Sequence, residues 1–260
     1  MSEIDYAVRD RVATITLDRP GSKNAFTLEM IDEWADRIEE ARHDPSVGAL
    51  ALTGSGDAFC AGGDLSVIAS MDSSPLVGKN ALTEHIHRVA LAMDAMDKPT
   101  IAAINGVAVG AGMDMALMCD IRFMARSAQL SEGYIRLGLV PGDGGAYYLP
   151  RIVGTAKALE LLLTGDFVDA AAALENGLVS RICDDDKIRD ETQEFAARLA
   201  AGPPIAARMI KRAMYQGMRA DLRTSLDLIS SHMGIVSTTE DAREALLAKR
   251  EGRSPKFTGR

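Results

Sequence analysis

Apolar and polar positions alternate through Val12-Ala13-Thr14-Ile15-Thr16-Leu17, the period of a strand with one buried face. Behind it the period lengthens. Ile31, Trp34, Ile38 and Ala41 fall on one face of a helix that Thr27 caps and that ends near position 43. The apolar run 47–53 predicts a buried strand, and the serine-rich segment 71–79, with Pro75 and Gly78, predicts a loop before a helix over 80–96. Lys98-Pro99 ends that helix, because the residue before a proline resists helical backbone angles. A strand at 101–104, a helix from 112, a strand at 121–124, a short helix at 169–176 stopped by Gly177, and a strand at 178–182 complete the mixed part. From position 184 onward the pattern is helical, near 185–201, 204–218, 220–234 and 238–250, broken sharply at Pro203-Pro204.

Strands and helices that alternate, followed by helices alone, predict a layered α/β core (1–200) with a helical C-terminal region (201–260). The chain of 260 residues is long enough for one large domain, and 47% hydrophobic with 25% charged residues is the balance of a globular protein. A net charge of −8 argues against nucleic acid as a partner, since phosphate backbones need a basic face. The three cysteines, Cys60, Cys119 and Cys183, are odd in number and widely spaced, which predicts a reducing compartment with neither a disulfide framework nor a metal cluster. The start Met1-Ser2-Glu3-Ile4-Asp5 lacks the basic and apolar regions of a secretory signal, and the apolar run 99–113 is too short to cross a membrane. The expected location is the cytoplasm.

Two segments carry candidate chemistry. Ile101-Ala102-Ala103-Ile104 runs through Asn105-Gly106-Val107-Ala108-Val109-Gly110-Ala111-Gly112 into the apolar helix pattern Met113-Asp114-Met115-Ala116. Leu50-Ala51-Leu52-Thr53 runs through a loop to Cys60-Ala61-Gly62-Gly63-Asp64-Leu65, the same layout. Glycine where a strand hands over to a helix lets a ligand approach the backbone, and the first N–H groups of the helix have no partner in the chain. Two such junctions could bracket one oxyanion; tight packing of strand on helix is the competing explanation. Neither has the glycine spacing of a dinucleotide site or of a P-loop.

Together with Leu17-Asp18-Arg19-Pro20, Asn24-Ala25 and Leu137-Gly138-Leu139-Val140-Pro141-Gly142-Asp143-Gly144-Gly145, these segments resemble the crotonase family of enoyl-CoA hydratases and isomerases, in order from about Val8 to Ile182. The resemblance implies a crotonase-like spiral of ββα turns whose final helices pack on neighbouring subunits, as a homotrimer or a dimer of trimers. It implies an acyl-CoA thioester substrate and no separate cofactor or metal, because coenzyme A arrives as part of the substrate. By motif, the backbone N–H groups of Gly63 and Ala111 form the oxyanion hole, with Ala25, Ala61, Gly62, Asp64, Leu65 and Gly110 around the ligand. Relatives usually carry glycine where Ala111 stands; alanine keeps the N–H and narrows the pocket slightly.

The acids depart from the family pattern. Where familiar hydratases carry two glutamates this chain has Asp114, one methylene shorter, and Tyr134, no base at neutral pH. Tyr134 is expected to line the acyl pocket, and Glu132 would share its face if the segment were extended. Asp143 lies near the place where some family isomerases and dehalogenases hold an essential aspartate; a helix cap is its other reading. The candidate catalytic residues are therefore Asp143, Asp114, Glu132 and Tyr134. His85 and His87, two apart on a helix, make a poor metal pair, and Leu91 stands where dehalogenases need a histidine. The expected activity is double-bond isomerisation or atypical hydration of an enoyl-CoA; the rival is a non-catalytic acyl-CoA-binding subunit. RNA binding, reported for some relatives, finds no support in so acidic a chain.

Overall fold

Strand β1 (Ile4–Arg9) pairs antiparallel with β2 (Val12–Leu17), Ile4 opposite Leu17, across a two-residue turn at Asp10 and Arg11, both at positive φ. The structure is a computed structural model that describes residues 3–70 and 74–260. β2 covers the alternating run that predicts it. β1 shows no such period, because only Ile4 of its six residues is buried.

Three turns of a spiral follow, and each has the same order. After α1 (Leu28–His43), the chain runs through β3 (Ala49–Gly54), β4 (Ala58–Cys60) and the helices α2 (Leu65–Ser70), α3 (Pro75–Ala81) and α4 (His87–Ala95). It then runs through β5 (Thr100–Ile104), β6 (Val107–Val109) and α5 (Ala111–Leu117). The third turn is β7 (Ile121–Ala125), β8 (Gln129–Ser131), α6 (Gly145–Val153) and α7 (Thr155–Thr164). The first strand of each turn pairs in parallel with the first strand of the next, and the second with the second. With β9 (Val168–Asp169), α8 (Ala170–Glu175) and β10 (Arg181–Cys183), the result is a six-stranded sheet β1-β2-β3-β5-β7-β10 beside a four-stranded sheet β4-β6-β8-β9. This is the ββα spiral the resemblance implies.

Burial explains the strand types. β3 and β5 are buried along their whole length, as parallel strands covered on both faces must be. α1 lays Met30, Ile31, Trp34, Ala35, Ile38 and Ala41 into the core, with Thr27 accepting the Met30 N–H at its cap. α9 (Ile188–Ala200) seals the opposite face through Ala196 and Ala200, against Val12, Ala49, Ala51 and Ile101.

Two boundaries differ from expectation. The helix expected from position 80 starts at Pro75, because Ser74 caps it by accepting the Val77 N–H; the 71–73 part of the expected loop lies outside the described residues. The last strand is Arg181–Cys183 rather than 178–182, since Leu178 and Val179 are buried in the turn leading to it.

The remaining helices, α10 (Pro204–Gly217), α11 (Leu222–Val236) and α12 (Glu240–Glu251), behave differently. Neither α10 nor α11 has a buried residue. α10 is tied to the core by polar contacts: Lys211 to Asp120 at 2.8 Å and to the Lys98 carbonyl at 2.9 Å, and the Tyr215 hydroxyl to Asp120 at 2.8 Å.

Candidate active site

Phe26 and Gly63 form an isolated parallel bridge: the Phe26 N–H donates to Gly62 O at 2.9 Å and the Asp64 N–H to Phe26 O at 2.9 Å. In such a bridge the N–H of the middle residue, Gly63, points to the other side. Asn24 braces this loop, its amide donating to the carbonyls of Ser55 and Ala58 at 2.8 Å each. Ala111 is the first residue of α5, so its N–H has no partner within the helix. The two junctions meet: a Cβ built on Gly62 would lie 3.6 Å from the Ala111 nitrogen and 3.0 Å from Val109 O. Gly62 also has φ +95°, a backbone state that favours glycine. A Cβ on Gly112 would collide with the Cys60 carbonyl, so α5 can sit against β4 only with glycine there. The paired glycines thus let strand and helix pack closely and bring the Gly62–Gly63 turn against the start of α5.

The acids converge on one hydroxyl. Tyr134 follows β8 in a short 3-10 turn (Gly133–Leu137), its ring lying against Gly110 at 3.6 Å from where a Cβ would stand. Its Oη is 2.8 Å from Asp114 Oδ2 and 2.7 Å from Asp143 Oδ2. Asp114 is fully buried, Glu132 is 1% exposed and Asp143 5% exposed. The segment 132–134 is not extended, since Glu132 precedes the turn and the Tyr134 N–H folds back onto its carbonyl at 2.6 Å; the two side chains nevertheless reach the same cluster. Gly145 opens the space, because a Cβ on it would strike Asp114 Oδ1 and come within 2.9 Å of both Glu132 oxygens.

Burial raises the proton affinity of every group here. Desolvation, then the charge of Asp143, pushes Asp114 up; desolvation, then Asp114, pushes Glu132 up; Asp143 rises by desolvation, opposed by the Tyr134 hydroxyl and by His87. The Tyr134 phenol is driven well above its ordinary range by burial and by both aspartates. Asp114 Oδ1, Asp143 Oδ1 and both Glu132 oxygens have no hydrogen-bond partner among the described residues.

Other candidates have plainer surroundings. Asp64 is committed to local structure: Oδ1 accepts from the Ser66 N–H and hydroxyl and Oδ2 pairs with Arg19 at 2.9 Å, and the Ser66 bonds, then Arg19, hold its carboxyl down at about 2. The Ala61 N–H donates to Lys23 O at 3.0 Å and the Ala25 N–H to Ser22 O at 3.0 Å, both in the segments that Asn24 braces. Leu65 is 76% exposed. Cys60 is a buried structural thiol, donating to Asn24 O at 3.2 Å and pushed up to about 12 by desolvation. Asp143 precedes α6 without capping it, as the residue before that helix is Gly144 at φ +117°, so the cap reading is corrected.

His87, set aside in the sequence as half of a poor metal pair, lies beside the acidic cluster. Its Nε2 is 2.9 Å from Gly142 O, which brings the imidazole to the loop that carries Asp143, while Leu91 faces solvent. No spacing signals this, because the loop comes from a different turn of the spiral, 55 residues on. His85 pairs outward with Asp32 at 2.8 Å. No three His, Cys, Asp or Glu side chains among the described residues are arranged to hold a metal ion. A separate cleft of about 610 Å³ between α4, α6 and α10 includes Met93, Met118, Tyr148, Lys211 and Tyr215, and none of the candidate residues.

The sequence model of the family described as Enoyl-CoA hydratase/isomerase matches residues 8–260. The chain is 32% identical over 249 residues to a crotonyl-CoA hydratase of Syntrophomonas wolfei, covering 95% of each chain. It is 35% identical over 254 residues to the 1,2-epoxyphenylacetyl-CoA isomerase of Escherichia coli, covering 97% of each. Among solved structures, an enoyl-CoA hydratase from Bacillus anthracis superposes with a TM-score of 0.92 at 32% identity, over 99% of this chain and all of that one.

Proposed function

The chain belongs to the enoyl-CoA hydratase/isomerase family, an enzyme family, and from that premise we propose that it moves a double bond, or adds water atypically, in the acyl group of a coenzyme A thioester. In this reading the thioester oxygen lies between the N–H groups of Gly63 and Ala111, beside Ala25, Ala61, Gly62 and Gly110 with Leu65 at the mouth. Removing a proton next to the thioester sends charge onto that oxygen, and preorganised donors stabilise the enolate without reorganising. Asp143 is the base. The supporting observation is its position: it is the more exposed aspartate of the Tyr134 pair, on the loop that His87 also reaches. Asp114 and Glu132, buried behind it, act on Asp143 rather than on the ligand.

Isomerisation needs one carboxylate that takes and returns a proton, whereas ordinary hydration uses two carboxylates around a water. Crotonyl-CoA is therefore a poor substrate, with hydration slower than about 10² s⁻¹. A panel of enoyl-CoA thioesters assayed for isomerisation and hydration tests this; crotonyl-CoA hydration faster than that, with no isomerisation, overturns it. The non-catalytic alternative has no observation in its favour, since the relatives described above are named as enzymes.

The same reading assigns 201–260 to assembly. Ile210, Leu222, Leu226 and Met233, each more than half exposed, form apolar faces on α10 and α11 that suit another copy in a trimer or dimer of trimers. Light scattering should give three or six chains, and a monomer at micromolar concentration would refute this. Three buried thiols free of disulfides are in keeping with a cytoplasmic setting.

A further inference from the structure

The Tyr134 hydroxyl presents a problem in counting. A phenol has one proton and donates it once. Its oxygen nevertheless lies 2.8 Å from a carboxyl oxygen of Asp114 and 2.7 Å from one of Asp143. If both aspartates were ionised, one of these short contacts would set two lone pairs against each other between like charges in a dry pocket. Both contacts are satisfied when one carboxyl carries a proton and donates it to Oη while Oη donates its own to the other.

We propose that Asp114 and Asp143 share one carboxylic proton through the hydroxyl of Tyr134, a positioning residue, so that Asp143 alone can meet the ligand as base or as acid. Two arrangements are available. In one, Asp114 carries the proton and donates to Oη, Oη donates to Asp143, and Asp143 is an empty base. In the other, Asp143 carries it. Passing between them breaks the Asp114 O–H bond while a new O–H forms at Oη, and breaks the original phenolic O–H while one forms at Asp143 Oδ2. No charge, electron or further reactant enters or leaves.

The surroundings favour exchange inside the cluster over exchange with water. Asp114 is wholly buried, and Asp143 is the more exposed end at 5%. The other titratable groups facing the three are Glu132 beside Asp114, and His87 and Cys60 near Asp143; the Gly145 N–H also faces Asp114. Glu132 is pushed up by burial and by Asp114, whose carboxyl it faces, and burial pushes the Cys60 thiol up to about 12. A tyrosinate is excluded as the carrier, because the phenol is pushed well above its ordinary range.

The inference rests on the enolate reading above, and the experiment separates the two. Deuterium exchange of the α-protons of a saturated acyl-CoA tests the enolate reading alone. The shared proton is read without substrate, by infrared difference spectroscopy of protein carrying ¹³C-labelled aspartate: one protonated aspartate in this cluster at pH 7, missing or shifted in Asp114→Asn, is expected. In turnover, mixed H₂O/D₂O should give a curved proton inventory for the wild type. Tyr134→Phe should give a linear inventory and a kcat lower by about 10²-fold. A tyrosine that merely lined the acyl pocket would change KM and leave the inventory curved. The proposal is overturned by two ionised aspartates at pH 7, by a linear wild-type inventory, or by Tyr134→Phe turning over within about twofold of wild type. If Tyr134→Phe does not fold, the infrared result and the wild-type inventory decide.

Discussion

The two halves of the site are built from different materials. In the proposed site one half is backbone: the N–H groups of Gly63 and Ala111, set by a strand bridge and by the start of a helix. The other half is side chain: Asp114, Glu132, Tyr134 and Asp143, brought from α5, from the end of β8 and from the loop before α6. The backbone half works through geometry that any residue with an N–H can supply, so alanine replaces glycine at position 111 without losing the donor. The side-chain half works through proton affinity, which burial shifts and a single substitution resets. A chain can therefore keep the first half and rebuild the second, and with it the reaction.

Ala111→Pro cuts most sharply between the halves. Proline is tolerated at the first position of a helix but has no N–H. It should lower kcat by about 10²–10³, the cost of one lost oxyanion donor, while the infrared signature of the aspartates stays. Unchanged kcat would remove Ala111 from the donor pair. Asp143→Asn comes next: about 10²-fold lower turnover with acyl-CoA affinity retained, measured by steady-state kinetics and calorimetric titration. Unchanged turnover would move the base to Glu132 or Asp114. Gly62→Ala should cost about 1–3 kcal/mol in thermal unfolding, since an alanine must adopt φ +95° with its Cβ 3.0 Å from Val109 O.

The smallest effect is the pH dependence of stability, which probes the side-chain half alone. A carboxyl whose proton affinity is raised on folding binds more protons in the native state than in the unfolded one. Its effect on stability is absent below the unfolded value of about 3.9 and grows more unfavourable as pH rises toward the folded value. Asp114, raised by burial and by Asp143, should therefore make Tm fall as pH rises above the ordinary aspartate range. Asp114→Asn should flatten that slope, and an equal slope in both proteins would show that Asp114 is ionised at little cost.

Much of this architecture is legible in local pattern. β2 and α1 occupy the residues whose periods predict them, and the four C-terminal helices fall within a few residues of expectation. Some exceptions have local causes: β1 is solvent-facing and lacks a period, and the Ser74 cap starts α3 at Pro75, five residues before the expected helix. The glycine junctions are legible as well, because only glycine meets the demands of the Gly62 turn and of the Gly112–Cys60 contact.

The acids show where local reading stops. Asp114, Glu132 and Asp143 can each be picked out as an acid near a ligand site, but no spacing reveals that one hydroxyl joins Asp114 to Asp143, or that His87 reaches the Asp143 loop from α4. Tyr134 reads as a pocket wall in the sequence, and its ring does pack on Gly110; only the fold turns its hydroxyl between two carboxyls. The sequence by itself determined many of the elements, the family and the two glycine junctions, because periodicity, caps and glycine geometry act between residues close along the chain. The tertiary structure decided which carboxyls share a hydroxyl and how tightly each holds its proton, because desolvation and charge depend on neighbours that the spiral brings in from separate turns.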